Sequence, residues 1–185
     1  MTISENDLGW QNLRAGISLI SWSKLAIWDK DNLKLIANED KQLATYEGFK
    51  DVHNEYGRVI CWVTFSVGAE YLVKGYYILE KQMKGMQVYD KKGEEVTERY
   101  IINAPLLKLL LIIDNFIEQG TESQTIKKSL HHLRKFIRNR DIHSYEKDVR
   151  GNNLYLVKNK FLPAFNLMLA SLDQSGLEYH LKNVQ

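Results

Sequence analysis

One cysteine, Cys61, stands in 185 residues, so no disulfide can close within the chain. Its place in the apolar run RVICWVTF suits a buried, unreactive thiol and a reducing compartment. Only two prolines occur, beside 44% apolar and 26% charged residues, a composition that excludes disordered and fibrous chains. Long apolar runs are missing too: PLLKLLLII is the most apolar stretch, and it is short and broken by Lys108. The start, MTISENDLGW, carries acids where a signal peptide carries Lys or Arg. A cytoplasmic protein with no membrane span is the expectation. Also absent are G-x-x-x-x-G-K-[ST], H-E-x-x-H and any cysteine pair, so neither a phosphate cradle nor a zinc site of those types is written here. The doublet His131–His132 is a poor metal pair, because successive helical side chains diverge by about 100°. No metal or cofactor is expected.

Charge is present and unevenly placed. Net charge is +2, yet residues 127–150 hold eight Lys or Arg against three acids, which makes that segment +5 and the remainder −3. A local positive field of this kind favours a polyanion such as RNA, while the plainer alternative is a solvated helix face.

The periodicities predict an all-α antiparallel bundle in one domain, 1–185. Residues 7–28 read as an amphipathic helix with Leu13, Ile17, Ile20 and Leu25 facing the core, ended by DKDN at 29–32. A second helical stretch is expected over 40–54. Trp62, Phe65, Ala69, Leu72, Tyr76 and Leu79 recur at threes and fours along 58–82, the stripe of a core helix. Glu70 and Lys74, four apart, suit a surface ion pair. Trp10, Trp22, Trp28 and Trp62 suit core or oligomer packing. MQVYDKKGEEVTERY suggests a hairpin or irregular insertion within 83–104. NAPLLKLLLIIDNFIEQG reads as one helix, Pro105 in its first turn and Gly120 at its C-cap. The next helix opens with Thr121 or Ser123 as N-cap. Leu154, Val157, Phe161, Phe165, Met168 and Leu172 stripe a last helix, with a kink or boundary near Leu162 set by Pro163.

The helix containing RNRDIHSY, residues 138–145, holds the candidate site. With Arg138 at zero and about 100° per residue, Ile126, Leu130, Leu133 and Ile137 cluster near ~250°, the expected buried stripe. On the same wheel Ile142 falls at ~40°, Asn139 at ~100°, His143 at ~140° and Phe136 at ~160°, turned away from the helix's own core. A polar cluster framed by apolar residues on an outward face suggests contact with another chain, so Ile142 and Phe136 are candidate dimer-interface residues. A twofold dimer brings two copies of Arg138 and His143 together.

Such a pocket suits RNA cleavage without metal. Histidine titrates near neutrality and can take the proton of a 2′-hydroxyl or protonate a leaving 5′-oxygen. Arginine stays charged and its fork matches phosphate oxygens. Asn139, four residues before His143, can orient the imidazole or donate to phosphate. Arg134, Lys135, Arg140 and His132 are candidates for holding RNA.

R-N-x-x-x-H closing a bundle helix, here Arg138, Asn139 and His143, resembles the signature of the HEPN superfamily (higher eukaryotes and prokaryotes nucleotide-binding). With Tyr145, RNRDIHSY is similar to the R-x-x-x-x-H-x-Y form of HEPN toxins paired with a minimal nucleotidyltransferase. The pattern A-E-x-x-x-K at Ala69, Glu70 and Lys74 resembles the family's other recurrent helix. The resemblance covers about 55–172, leaving 1–54 as an N-terminal helical extension and 83–104 as an insertion. It implies a dimeric helical bundle and a metal-independent endoribonuclease of toxin–antitoxin or antiphage-defence type, acting on tRNA or mRNA at the dimer interface. It further implies Arg138 and His143 as the catalytic pair and Asn139 in support, with Glu70 near the site. Tyr145 is then the residue that an antitoxin nucleotidyltransferase would modify with AMP. Two rivals from other classes are a HEPN-like module that binds RNA, nucleotide or a partner without cutting, and a helical adaptor with no nucleic-acid role.

Overall fold

The structure is a computed structural model that describes residues 7–38, 54–117, 120–139, 155–182 and 184, with backbone alone at 54–60, 121 and 135–139. It is mostly helical, and one contiguous apolar core draws on residues from Leu13 to Val184. The expected helix at 40–54 lies outside the described residues except for its last position.

Helix α1 spans Leu8–Trp22, opened by Asp7, whose carboxylate accepts from the Gly9 N–H at 2.8 Å. Leu13, Ile17 and Ile20 are fully buried, as the stripe predicts. The helix stops six residues earlier than its periodicity suggests. Ser23 turns its hydroxyl back onto the Ile20 carbonyl and accepts from the Leu25 N–H, and Lys24 adopts a left-handed φ of 60°. A hydroxyl that offers the backbone such a local alternative competes with helix propagation. The chain then forms a β-hairpin, strands β1 (Ala26–Asp29) and β2 (Lys34–Ala37), pairing Ala26 with Ala37 and Asp29 with Lys34. DKDN is therefore its turn rather than a helix stop. Asp29 Oδ1 accepts from the Asp31 and Asn32 N–H groups, the local closure that favours Asp in turns. Leu25 and Trp28 still reach the core, which is why a helical period fits them too.

Helix α2, Asn54–Lys84, is the long central element. Phe65, Ala69, Leu72, Tyr76 and Leu79 are buried and Trp62 packs against them. α1 lies against α2 at backbone contact. A Cβ on Gly16 would stand 2.5 Å from the Leu72 nitrogen, and one on Gly75 would stand 2.5 Å from the Leu13 nitrogen. Only glycine permits that approach.

The insertion holds a small hairpin, bridged at Tyr89 and Glu95, with Gly93 at φ 79° in its turn. Thr97 then caps a short helix, α3 (Glu98–Asn103). The single helix expected after Asn103 is instead α4, Leu106–Leu111, with Pro105 as its N-cap, followed by one 3-10 turn at Ile113–Asn115. This break brings Ile112, Ile113 and Phe116 all into the core, where the Phe116 ring stacks on Tyr77 at 4.3 Å. Gly120 serves the next helix rather than this one, its carbonyl accepting from the Gln124 N–H and the Ser123 hydroxyl.

Helix α5 runs Thr121–Asn139. From residue 155 the described chain is helical, its turn Val157–Phe161 widened to π geometry and leading into α6 (Leu162–Ala170). Pro163 lacks the N–H that an α-turn would return to Asn159, and the Leu162 N–H reaches five residues back to the Val157 carbonyl. The kink expected near Leu162 takes that form. Val157, Phe161, Phe165, Met168 and Leu172 are buried as the stripe predicts, and Leu154 lies outside the described residues. A further helix, α7 (Gln174–Leu181), is not legible in the sequence pattern. It is opened by Asp173, whose carboxyl is held below the ordinary range by the Ser175 hydroxyl and the Gly176 N–H, and it stacks His180 on Trp10. Among the described residues no helix is long and apolar enough to cross a membrane.

Candidate nucleic-acid interface

The core side of α5 is set by Ile126, Leu130 and Leu133, each buried, as its helix packs on α6 and the π-turn. The opposite side carries Lys128, His131 and His132, with Arg134 half-buried beside them. Lys127 is turned to an ion pair with Asp114 on the preceding 3-10 turn. Side chains seven apart share a helix face with only about 20° of drift. Lys135, Arg138 and Asn139 follow Lys128, His131 and His132 by seven, so their backbone positions continue that side.

Of the remaining predicted site residues, Arg140, Ile142, His143 and Tyr145 lie outside the described residues, as do the side chains of Lys135, Phe136, Arg138 and Asn139. Glu70 sits on α2, where its carboxylate pairs with the Lys74 ammonium at 2.8 Å in the expected i, i+4 arrangement. Cys61 is half-buried, and burial pushes its thiol up, away from the thiolate that a nucleophile needs. Among the described residues no group of three or more His, Cys, Asp or Glu side chains is placed to hold a metal ion.

Sequence reasoning misses one buried polar cluster. Glu80, almost wholly buried, pairs with the Lys84 ammonium at 2.7 Å and accepts from the Ser171 hydroxyl at 3.2 Å, which also contacts the Tyr76 hydroxyl. The Glu80–Lys84 spacing is a local signal, but Ser171 lies 91 residues away in sequence. The cluster ties α2 to the end of α6, remote in kind from acid–base chemistry on α5.

No family model, curated protein or solved structure matches the chain.

Proposed function

We propose that the protein is a metal-independent endoribonuclease of the HEPN type, acting in toxin–antitoxin or antiphage defence from the cytoplasm. The observation that carries the reading is the basic outward side of α5, whose register leads directly to Arg138 and Asn139. Two copies meet through this end of α5, around Ile142, and each supplies Arg138 and His143 to a composite site. One imidazole takes the proton of a 2′-hydroxyl as it attacks the adjacent phosphorus, and the other protonates the departing 5′-oxygen. Arg138 neutralises the charge that builds on the phosphoryl oxygens. Asn139 orients the imidazole, while Arg134, Lys135, Arg140 and His132 hold the flanking backbone. Modification of Tyr145 with AMP would place bulk and negative charge beside Arg138 and close the phosphate site by occupancy and repulsion.

The test is expression and purification of the wild type beside His143→Ala and Arg138→Ala. Wild type slows growth and degrades RNA in EDTA, and either variant loses at least ~10²-fold of that rate, the usual worth of a positioned acid or base. Equal RNA loss by wild type and His143→Ala would overturn the catalytic assignment and leave the non-cutting RNA-binding module.

A further inference from the structure

A second basic element adjoins α5. From Ser123 to Arg140 the chain has no acid, and from Val149 to Leu172 it again has none, although 23 Asp and Glu occur in the whole chain. Helix α5 beyond its first turn, where Glu122 stands, belongs to the first stretch, and the π-turn and α6 that pack against it belong to the second. Folding thus gathers two carboxylate-free runs into one neighbourhood. Of the acids elsewhere, Glu70 and Glu80 pair within their own helix with Lys74 and Lys84, while Asp114 reaches Lys127 near the start of α5.

The π-turn decides what this neighbourhood presents. Val157 and Phe161 are buried at its two ends, and the three residues between them, Lys158, Asn159 and Lys160, are all exposed. Asn159 spends its amide on the turn itself, donating to the Tyr155 carbonyl at 2.9 Å, so the widened backbone is held locally. Tyr155, one turn before Lys158, leaves 59% of its surface in solvent. An exposed aromatic ring within two turns of two exposed lysines matches the composition used to hold an unpaired nucleic-acid strand, bases stacking on the ring and phosphates on the cations. Departures from α geometry to π geometry also concentrate at functional positions.

We infer that Tyr155, Lys158 and Lys160 form a second arm of an RNA-binding surface, adjoining α5, and that this arm takes an unpaired stretch of the strand. The inference rests on the ribonuclease reading for the identity of the polyanion, but its residues are none of those assigned to cleavage.

The experiment measures binding of a labelled 2′-O-methyl oligouridine, which cannot be cut by 2′-hydroxyl attack, to the full-length wild-type chain. A hairpin duplex of similar length serves as the paired probe, and both are titrated across a salt series. Lys158→Gln/Lys160→Gln binds the oligouridine about tenfold more weakly at ~0.1 M salt, and its log–log salt slope falls by ~1.4, two phosphate contacts at ~0.7 each on a single strand. Tyr155→Ala loses about tenfold on the oligouridine and little on the duplex, whereas Tyr155→Phe, which keeps the ring, binds as wild type. Thermal unfolding of each variant is compared with wild type, so that a folding defect is not read as lost binding. Unchanged affinity and slope in the double lysine variant overturn the inference, as does a wild type that binds anionic vesicles and not RNA. Cleavage of ordinary RNA is read separately. Arm-dependent binding without cleavage overturns the ribonuclease reading alone, and cleavage with arm-independent binding overturns this inference alone.

Discussion

Asn166 illustrates what a single side chain does in this molecule. Its Oδ1 accepts from the Leu35 N–H at 2.8 Å and its Nδ2 donates to the Leu35 carbonyl at 2.9 Å, so one amide imitates a neighbouring strand along the outer edge of β2. Leu35 is nearly wholly buried, so its backbone groups have little access to water once the amide is removed. Asn166→Ala is therefore expected to destabilise the protein by about 1–3 kcal/mol, measured by urea unfolding, the cost of leaving buried donor and acceptor groups unmatched. A change below about 0.5 kcal/mol, the scale of an ordinary surface substitution, would mean that water takes the amide's place. Nothing local in PAFNLML marks Asn166 for this task, because its partner is 131 residues away. The catalytic candidates differ in this respect. The spacing of Arg138, Asn139 and His143 is read within one short run of sequence, and the catalytic role proposed for them rests on the family resemblance.

At the scale of elements, the buried stripes of α2, α5 and the last long helix are legible because burial follows a 3.6-residue period in sequence. The boundaries are not. The helical period of α1 runs on through a hairpin because Leu25 and Trp28 are buried at spacings that a helix would also satisfy, and the hydroxyl of Ser23 decides between the two. The helix beginning at Leu106 is shorter than its pattern for a related reason: Ile113 continues the apolar spacing while packing in a different backbone conformation. The contact between α1 and α2 gives a test at this scale. Replacing a helical glycine by alanine ordinarily gains about 1 kcal/mol of propensity. At Gly75 the added carbon meets the Leu13 backbone nitrogen at 2.5 Å, and backbone cannot rotate aside as a side chain would. Gly75→Ala should lose about 1–3 kcal/mol net through overpacking, read as a lower thermal midpoint, with the exposed Val67→Ala as the comparison within about 0.5 kcal/mol. A stabilised Gly75→Ala would show that the two helices separate at little cost.

For the whole molecule, the proposed chemistry needs two chains, because one copy of RNRDIHSY supplies one histidine and the reaction moves two protons. Ile142→Glu should therefore yield a monomer by light scattering and lose ribonuclease activity together with dimerisation, since a carboxylate on each copy would be buried opposite its own image. A fully active monomer would remove the composite site. The basic surface belongs to this scale as well. Net charge is only +2, and what matters is that two acid-free runs, separated by an acid-bearing segment in sequence, are brought side by side. By itself the sequence determined the helical periods, the basic segment and the Arg–Asn–His spacing, because each depends on residues within a few turns of one another. Only the tertiary structure decided that α1 yields to a hairpin, that Gly16 and Gly75 admit a backbone, that Asn166 closes a strand edge and that the turn carrying Lys158 and Lys160 packs beside α5. Those outcomes depend on contacts and competing local closures that a repeating period does not encode.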